Sequence, residues 1–400
     1  MKVLVVNAGS SSLKYQLFDT VENTVLAKGI CERIKIDGRI EHKLPDGTKI
    51  KKEIPMPDHA VATQIVIDYL TDPQYGCIKD MSEIEAVGHR VVHGGTYFTK
   101  STLVTDDVVE KLRKCVDFAP LHTPAHIMGI EGCTKAMPGV PQVIVIDTAF
   151  HQTMPPQAYT YAIPYEMSKE YEIRRYGAHG TSHRFVAAEM CKILGRTENT
   201  TIVTCHIGNG SSISAVKDGV CIDTSMGMTP LAGVMMGTRC GDIDPAVVTY
   251  IMKKTGMSPD EMSDFMNNKC GFLGVSGISS DSRDIEAAIL ENNERAYLTA
   301  TTLAYQVKKY IGSYAAAMNG LDAVVFTAGM GENNPELRER ACTDMEFLGI
   351  KINKEVNAAA HHQPNIVELS TPDSKVKVYL IPTNEELMIA RDTEAIVTNK

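Results

Sequence analysis

One pattern occurs twice in this chain, and it limits the possible folds more than any other feature. Residues 2–19 read KVLVVNAGSSSLKYQLFD, and residues 201–218 read TIVTCHIGNGSSISAVKD. Each begins as an apolar strand, closes with a polar residue, then runs through Gly and paired Ser into a second strand. Val3 to Val6 is continuously apolar, as in a strand buried on both faces. Beyond the turn, Leu13, Tyr15 and Leu17 alternate with Lys14 and Gln16, the period of two that a strand imposes. A third strand follows each time, Thr24 to Ile34 and Val220 to Thr224. Two such meanders, roughly 200 residues apart, predict a duplicated α/β domain.

The turns are chemically suggestive. Asn7 to Ser12 offers backbone N–H groups and hydroxyls, with Lys14 able to lean over them, a combination that suits a phosphate chain. Taken singly, each turn reads equally well as an ordinary Gly/Ser hairpin. Together they imply a nucleotide in a cleft between the halves.

At 400 residues the chain is long enough for two domains with separate cores. A net charge of −9 argues against nucleic-acid binding, which normally requires a basic stripe. No apolar run reaches the ~18 residues of a membrane span. The start MKVLVVN does not read as a signal peptide. The ten Cys include no CxxC pair, so free thiols in a reducing cytoplasm are expected.

Between the repeats, Lys35 to Ile54 reads as an accessory hairpin turning at Asp46-Gly47. His59 to Leu70 has helical spacing, as do Asp106 to Phe118 and Pro124 to Met137. Glu85 to His93 reads as a strand carrying Arg90, a charge that must be paired or line a cavity. Val143 to Ile146 is another strand, with Asp147 at its carboxyl end, where open α/β sheets bind ligands. The domain boundary is expected just beyond it. That makes 1–150 the N-terminal α/β domain, completed by a C-terminal helix over 385–400, and 151–384 the nucleotide-binding α/β domain. Within the latter, a polar loop over 278–284 is expected to cap a helix from Ile285. Glu294 to Met318 reads as a long helix. Asp322 to Thr327 reads as a strand leading into Ala328-Gly329-Met330-Gly331-Glu332-Asn333. This Gly-x-Gly lacks the third glycine of GxGxxG and the Lys of a Walker A loop.

Several constellations compete. His89/His93, His122/His126 and His179/His183 share i, i+4 spacing but lack the Glu and uninterrupted helix of HExxH, so no structural zinc is expected. His126 and His183 read as packing or capping residues. Ser10 to Ser12 and Ser211-Ser212 lack the G-x-S-x-G setting of a nucleophile. Arg90 and Arg239 lie in different halves, each near glycines. They would suit a carboxylate and a transferring phosphoryl group, or else serve as interface ion pairs.

The motifs VVNAGSSSLKYQLFD, GHRVVHGG, PLHTPAH, IDTAFHQTMP, YGAHGTSH, HIGNGSS, TSMGMTPLAGVMMGTRCGDIDPA, SSDSRD, TAGMGENNP and PTNEELMIARDT, in this order from Val5 to Thr393, resemble the acetokinase family. The resemblance implies duplicated ribonuclease-H-like domains of the acetate and sugar kinase/Hsp70/actin type, and a homodimer. It implies reversible, direct in-line transfer of phosphate from ATP to acetate, dependent on Mg²⁺, for which Mn²⁺ could substitute. It places Asn7 and Glu385 near the metal, and Arg90 on the acetate carboxylate. Asp147, His179 and Arg239 become the catalytic residues. The acyl pocket falls on Val92, Leu121 and Pro230. ATP contacts fall on Ser12 and Lys14, on His206, Ile207, Gly208, Asn209 and Gly210, on Asp281, Ser282 and Arg283, and on Gly329, Met330, Gly331, Glu332 and Asn333.

One position departs from the resemblance. Where the family pattern reads YGFHGTSH, this chain has Ala178 before His179. A missing ring beside the acyl pocket would loosen selection among acetate, propionate and butyrate. The competing expectations are therefore a kinase for a longer short-chain acid, or a non-catalytic ATP switch like actin or Hsp70. The switch would not need Arg90, His179 and Arg239 together.

Overall fold

A computed structural model describes residues 1–399 apart from Leu121. The chain forms two compact units, Met1–Phe150 with Asn384–Lys400, and His151–Thr383.

The first unit is built on a mixed sheet. Strands β1 (Lys2–Gly9), β2 (Ser12–Asp19), β3 (Thr24–Glu32), β4 (Arg39–Lys43) and β5 (Lys49–Glu53) follow one another as antiparallel neighbours. On the other side of β1, β6 (Ala86–Val91) and β8 (Gln142–Ile146) run parallel to it, and the short β7 (Thr102–Leu103) closes the edge. The sequence reading missed β7, which is too short to show a period. The β1–β2 hairpin pairs Gly9 with Ser12 and Asn7 with Lys14.

The apolar run in β1 is continuous because both faces are covered. Leu4 and Val6 pack with Ile65, Val66 and Leu70 of the helix His59–Leu70 and with Cys133 of the helix Thr123–Ala136. Val3 and Val5 pack on the opposite face with Ile389 and Ala390 of the C-terminal helix Glu385–Thr398. That helix lies so close to β6 that a Cβ on Gly88 would stand 2.5 Å from Thr393 Oγ1 and 2.6 Å from Ile389 Cγ2. Asn384 caps the helix by accepting the Leu387 N–H, which fixes Glu385 in its first turn.

The second unit repeats the plan. Strands β9 (Thr201–Ile207), β10 (Ser211–Lys217) and β11 (Val220–Thr224) form the antiparallel meander. Beyond β9 lie β12 (Ala323–Thr327), parallel to it, then β14 (Lys377–Leu380) and β13 (Val367–Glu368). The order β3-β2-β1-β6-β8 in one sheet thus corresponds to β11-β10-β9-β12-β14 in the other. The long helix Glu294–Met318 buries Ala296, Leu303, Val307, Ile311, Tyr314 and Met318 on one stripe against this sheet.

Two local expectations change. The helix expected from Ile285 starts at Ser282, because the Asp281 carboxylate accepts the Arg283 N–H at 2.9 Å and caps it there. The Gly-x-Gly segment that follows strand β12 is itself a helical turn, Ala328–Asn333. Ala328 enters it at φ +65°, held by its N–H donating to the Glu332 carboxylate at 2.8 Å.

Candidate active site

In the first unit, the charge in β6 is paired. Parallel β6 and β8 set Arg90 opposite Val145, so Asp147 lies just past the end of β8, within reach of the guanidinium. Arg90 Nη2 donates to Asp147 Oδ2 at 2.6 Å, and Arg90 Nε stands 3.5 Å from the Glu385 carboxylate. Asp147 raises the guanidinium pKa further above its already high value. The Glu385 carboxyl is pushed up by burial, with Arg90 opposing and Asp147 and Glu386 reinforcing the shift. Two carboxylates thus share one cation. Nearby, the Val92 N–H donates to His126 Nε2 at 3.3 Å, and burial beside Arg90 pushes that imidazole down to about 3.

Asn7 and Lys14, neighbours across the hairpin, line a cavity of about 190 Å³ together with Glu386. Ser12 closes the turn, where its Oγ would lie 2.8 Å from any Cβ on Gly9. Leu121, expected in the acyl pocket, lies outside the described residues.

In the second unit, β9 and β10 pair Ile207 with Ser211, leaving Gly208, Asn209 and Gly210 as the turn. A Cβ on Gly210 would lie 3.5 Å from both Arg239 Nη1 and His179 Nε2, so two donors converge over a glycine. Arg239 is half-buried. Its Nη1 donates to the Pro230 carbonyl at 3.0 Å, and among the described residues no carboxylate pairs with it. Burial lowers its pKa, since an unneutralised cation is costly away from water. His179 holds a left-handed backbone at φ +58° just before the helix Gly180–Leu194, and its ring stacks on His206 at 4.1 Å. Non-glycine residues adopt that conformation at a cost, and such strain clusters at functional sites.

Three separated segments meet around an open cleft of about 470 Å³. Gly208 and Asn209, Asp281 to Arg283, and Gly329, Met330 and Asn333 all line it, joined by Glu286 and His362. Some expected contacts take other roles. The Ile207 side chain is fully buried in the core, so only its backbone faces the turn. Glu332 does not point outward; one carboxylate oxygen accepts the N–H of Ala328 and, at 3.2 Å, that of Thr383. Arg283 is exposed and folded back on Asp281 at 2.5 Å.

A model of the acetokinase family matches residues 2–391. The chain belongs to the acetokinase family. It is 56% identical over 399 residues to the acetate kinase of Methanosarcina barkeri, covering 99% of this chain and 97% of that one. It is 56% identical over 400 residues to the acetate kinase of Thermoanaerobacter pseudethanolicus, covering 99% of both. The crystal structure of Porphyromonas gingivalis acetate kinase superposes with a TM-score of 0.96 at 49% identity, over 99% of both chains. A propionate kinase from Francisella tularensis superposes at 0.90 with 39% identity, over 98% of this chain and 99% of that one. The paired sheets are accordingly the duplicated domains of the acetokinase fold.

Sequence reasoning missed Arg338 altogether. This fully buried arginine donates to the carbonyls of Gly331 and Glu332 at 2.9 Å, to Asn357 Oδ1 at 2.8 Å and to the Ala360 carbonyl at 2.5 Å. It braces the turn that lines the cleft. Nothing in PELRERAC distinguishes it from Arg340.

Proposed function

We propose that this acetokinase transfers a phosphoryl group from ATP to acetate, reversibly, giving acetyl phosphate and ADP. The observation that carries the reading is the convergence of Arg239 Nη1 and His179 Nε2 over Gly210, at the rim of the cleft. A half-buried guanidinium with no carboxylate partner, beside an imidazole, awaits an anion.

The chemistry follows from charge. Acetate has a carboxylate pKa near that of Glu, ~4.3, and is ionised at neutral pH, so the nucleophile needs no general base. The difficulty is the approach of one anion to another. Arg90 binds the acceptor carboxylate, and Asp147 holds the guanidinium in place. Arg239 and His179 stabilise the charge on the equatorial oxygens of the phosphoryl group in flight. Gly208 to Gly210, Asp281 to Arg283 and Gly329 to Asn333 receive ATP, with Lys14 and Ser12 directed at its phosphates. Val92 and Pro230 bound the acyl group.

Asp147 and Glu385 carry more negative charge than Arg90 neutralises, and with Asn7 they offer hard oxygen donors. This is the donor chemistry of Mg²⁺, and Mn²⁺ shares it. When bound, the ion supplies neutralisation of phosphate charge. We extend the reading to a homodimer in the cytoplasm. Among the described residues no helix is long and apolar enough to cross a membrane.

Purified protein given ATP, Mg²⁺, acetate and hydroxylamine should form acetohydroxamate. ATP binding without hydroxamate would instead identify a switch.

A further inference from the structure

His179 does not sit alone. Its Nδ1 lies 2.8 Å from Ser212 Oγ, and the same oxygen lies 2.7 Å from His183 Nε2. His183 Nδ1 in turn lies 2.7 Å from Thr204 Oγ1. Ser212, His183 and Thr204 are all fully buried. From the sequence His183 reads as a packing or capping residue, but the fold makes it the middle of a hydrogen-bonded chain ending at His179. Strand register dictates this: β9 and β10 pair His206 with Ser212 and Thr204 with Ser214, while the helix Gly180–Leu194 lays His183 across both strands.

The polarity of the chain follows from counting protons. Burial, with His151 and His206 close by, pushes the His183 imidazole well below its usual range, so it is neutral and has one N–H. Thr204 also has one proton and two acceptors to choose from. His183 Nδ1 is at 2.7 Å, and the Ser214 carbonyl is at 3.5 Å, the limit of a hydrogen bond. The shorter contact takes the proton. His183 Nδ1 is then an acceptor and its Nε2 carries the hydrogen, which it gives to Ser212 Oγ. Ser212 gives its own proton to His179 Nδ1, leaving neutral His179 with its hydrogen on Nε2.

We propose that Thr204, His183 and Ser212 are positioning residues that fix the tautomer of His179, so that Nε2–H is the donor presented beside Arg239 to the transferring phosphoryl group. The inference rests on the kinase reading for its purpose, but not for its geometry. The tautomer is a property of the folded chain whether or not acetate is the substrate. In the opposite polarity His179 Nε2 would offer a lone pair to an anion and repel it. The chain therefore separates a productive imidazole from an unproductive one.

The test has two independent arms. Native protein labelled with ¹⁵N-histidine should show His179 and His183 each with a protonated Nε2 and a bare Nδ1. A proton on Nδ1 of either ring would overturn the proposal without touching the kinase reading. In the second arm, Ser212→Ala should shift the His179 tautomer. It should also lower kcat by about 10- to 100-fold, as loss of an outer hydrogen-bond partner does, while KM for ATP and acetate moves less than about threefold. Ser212→Thr, which restores the hydroxyl, should recover most of the loss. Thr204→Val removes the far end of the chain while preserving shape, and guards against a Ser212→Ala protein that fails to fold. It should disturb the His183 tautomer and lower kcat in the same sense. Unchanged kcat in folded Ser212→Ala or Thr204→Val, or a native tautomer in either, would sink the assignment.

Discussion

Arg90 and Asp147 are joined by a 2.6 Å hydrogen bond from Nη2 to Oδ2, between residues that parallel strands place side by side. The bond orients the guanidinium and leaves Nε beside Glu385, the other carboxylate that Arg90 must balance. Arg90→Ala is expected to lower kcat/KM for acetate by at least about 100-fold, the cost of losing one electrostatic stabiliser. Arg90→Lys should rescue little, because an ammonium cannot span both carboxylates in a planar fork. Steady-state kinetics on folded variants decide this. A near-normal alanine variant would remove Arg90 from the acceptor site.

The space over Gly210 gives a sharper test. A methyl there meets Arg239 and His179 at 3.5 Å, an ordinary contact distance, so Gly210→Ala should fold normally. It would nonetheless occupy the position where the two donors converge. Turnover should fall by about 100-fold or more, comparable to a lost transition-state contact, with Tm nearly unchanged. Full activity in this variant would show that the phosphoryl group passes elsewhere.

Arg338 is predicted to matter through architecture. Arg338→Met leaves the Gly331, Glu332 and Ala360 carbonyls without their donor. Urea unfolding should show a loss of roughly 1–3 kcal/mol, the range for leaving buried acceptors unsatisfied. KM for ATP should rise with it, since the braced turn lines the cleft. Equal stability in the two proteins would mean that water replaces the guanidinium at no cost.

These residues also show where the sequence stops being informative. The duplication was legible because each repeat keeps a polar strand end, a glycine and paired serines. Burial of both faces wrote itself into VLVV. The Gly-punctuated turns could be picked out one by one, as could Asp147 at a strand end. Long-range partners could not. Arg90 meets Asp147 and Glu385 only because strand order and a returning helix put them together. His183 looked like core because a buried imidazole and a positioning imidazole read alike. The helical turn at Ala328 is hard to read because its glycines disfavour helix, and what holds it is a local bond within the turn itself, from the Ala328 N–H to the Glu332 carboxylate.

A pH dependence follows from Glu385. Burial raises its carboxyl above the usual value, with Asp147 and Glu386 adding and Arg90 opposing, so the folded state binds this proton more tightly than the unfolded state. Where the folded state holds the extra proton, stability falls as pH rises. Glu385 therefore costs stability progressively from about pH 4.3, the ordinary Glu value, up through its raised folded value. In metal-free buffer, Glu385→Gln should remove that component. Urea midpoints of the native protein should decline more between pH 5 and pH 8 than those of the variant, on the order of 1 kcal/mol of difference. Parallel pH profiles would show that the carboxyl titrates normally in the fold.

The last prediction concerns acyl selectivity. Ala178 is buried against Met226 and Met236, both fully enclosed, and Met236 Sδ lies 3.8 Å from Arg239 Nη1. The neighbours of position 178 are thus methionines, side chains that deform easily. A rigid ring would resist an extra methylene, whereas methionines can yield to one. Each buried CH₂ is worth roughly 0.8 kcal/mol, and a pocket discriminates one methylene by at most ~200-fold. The propionate-to-acetate ratio of kcat/KM should lie nearer unity than in a Phe-bearing acetate kinase. Ala178→Phe must displace a methionine, so it should cost about 1–3 kcal/mol of stability while favouring acetate. Should the ratio be the same in the native chain and in folded Ala178→Phe, position 178 plays no part in choosing the acid.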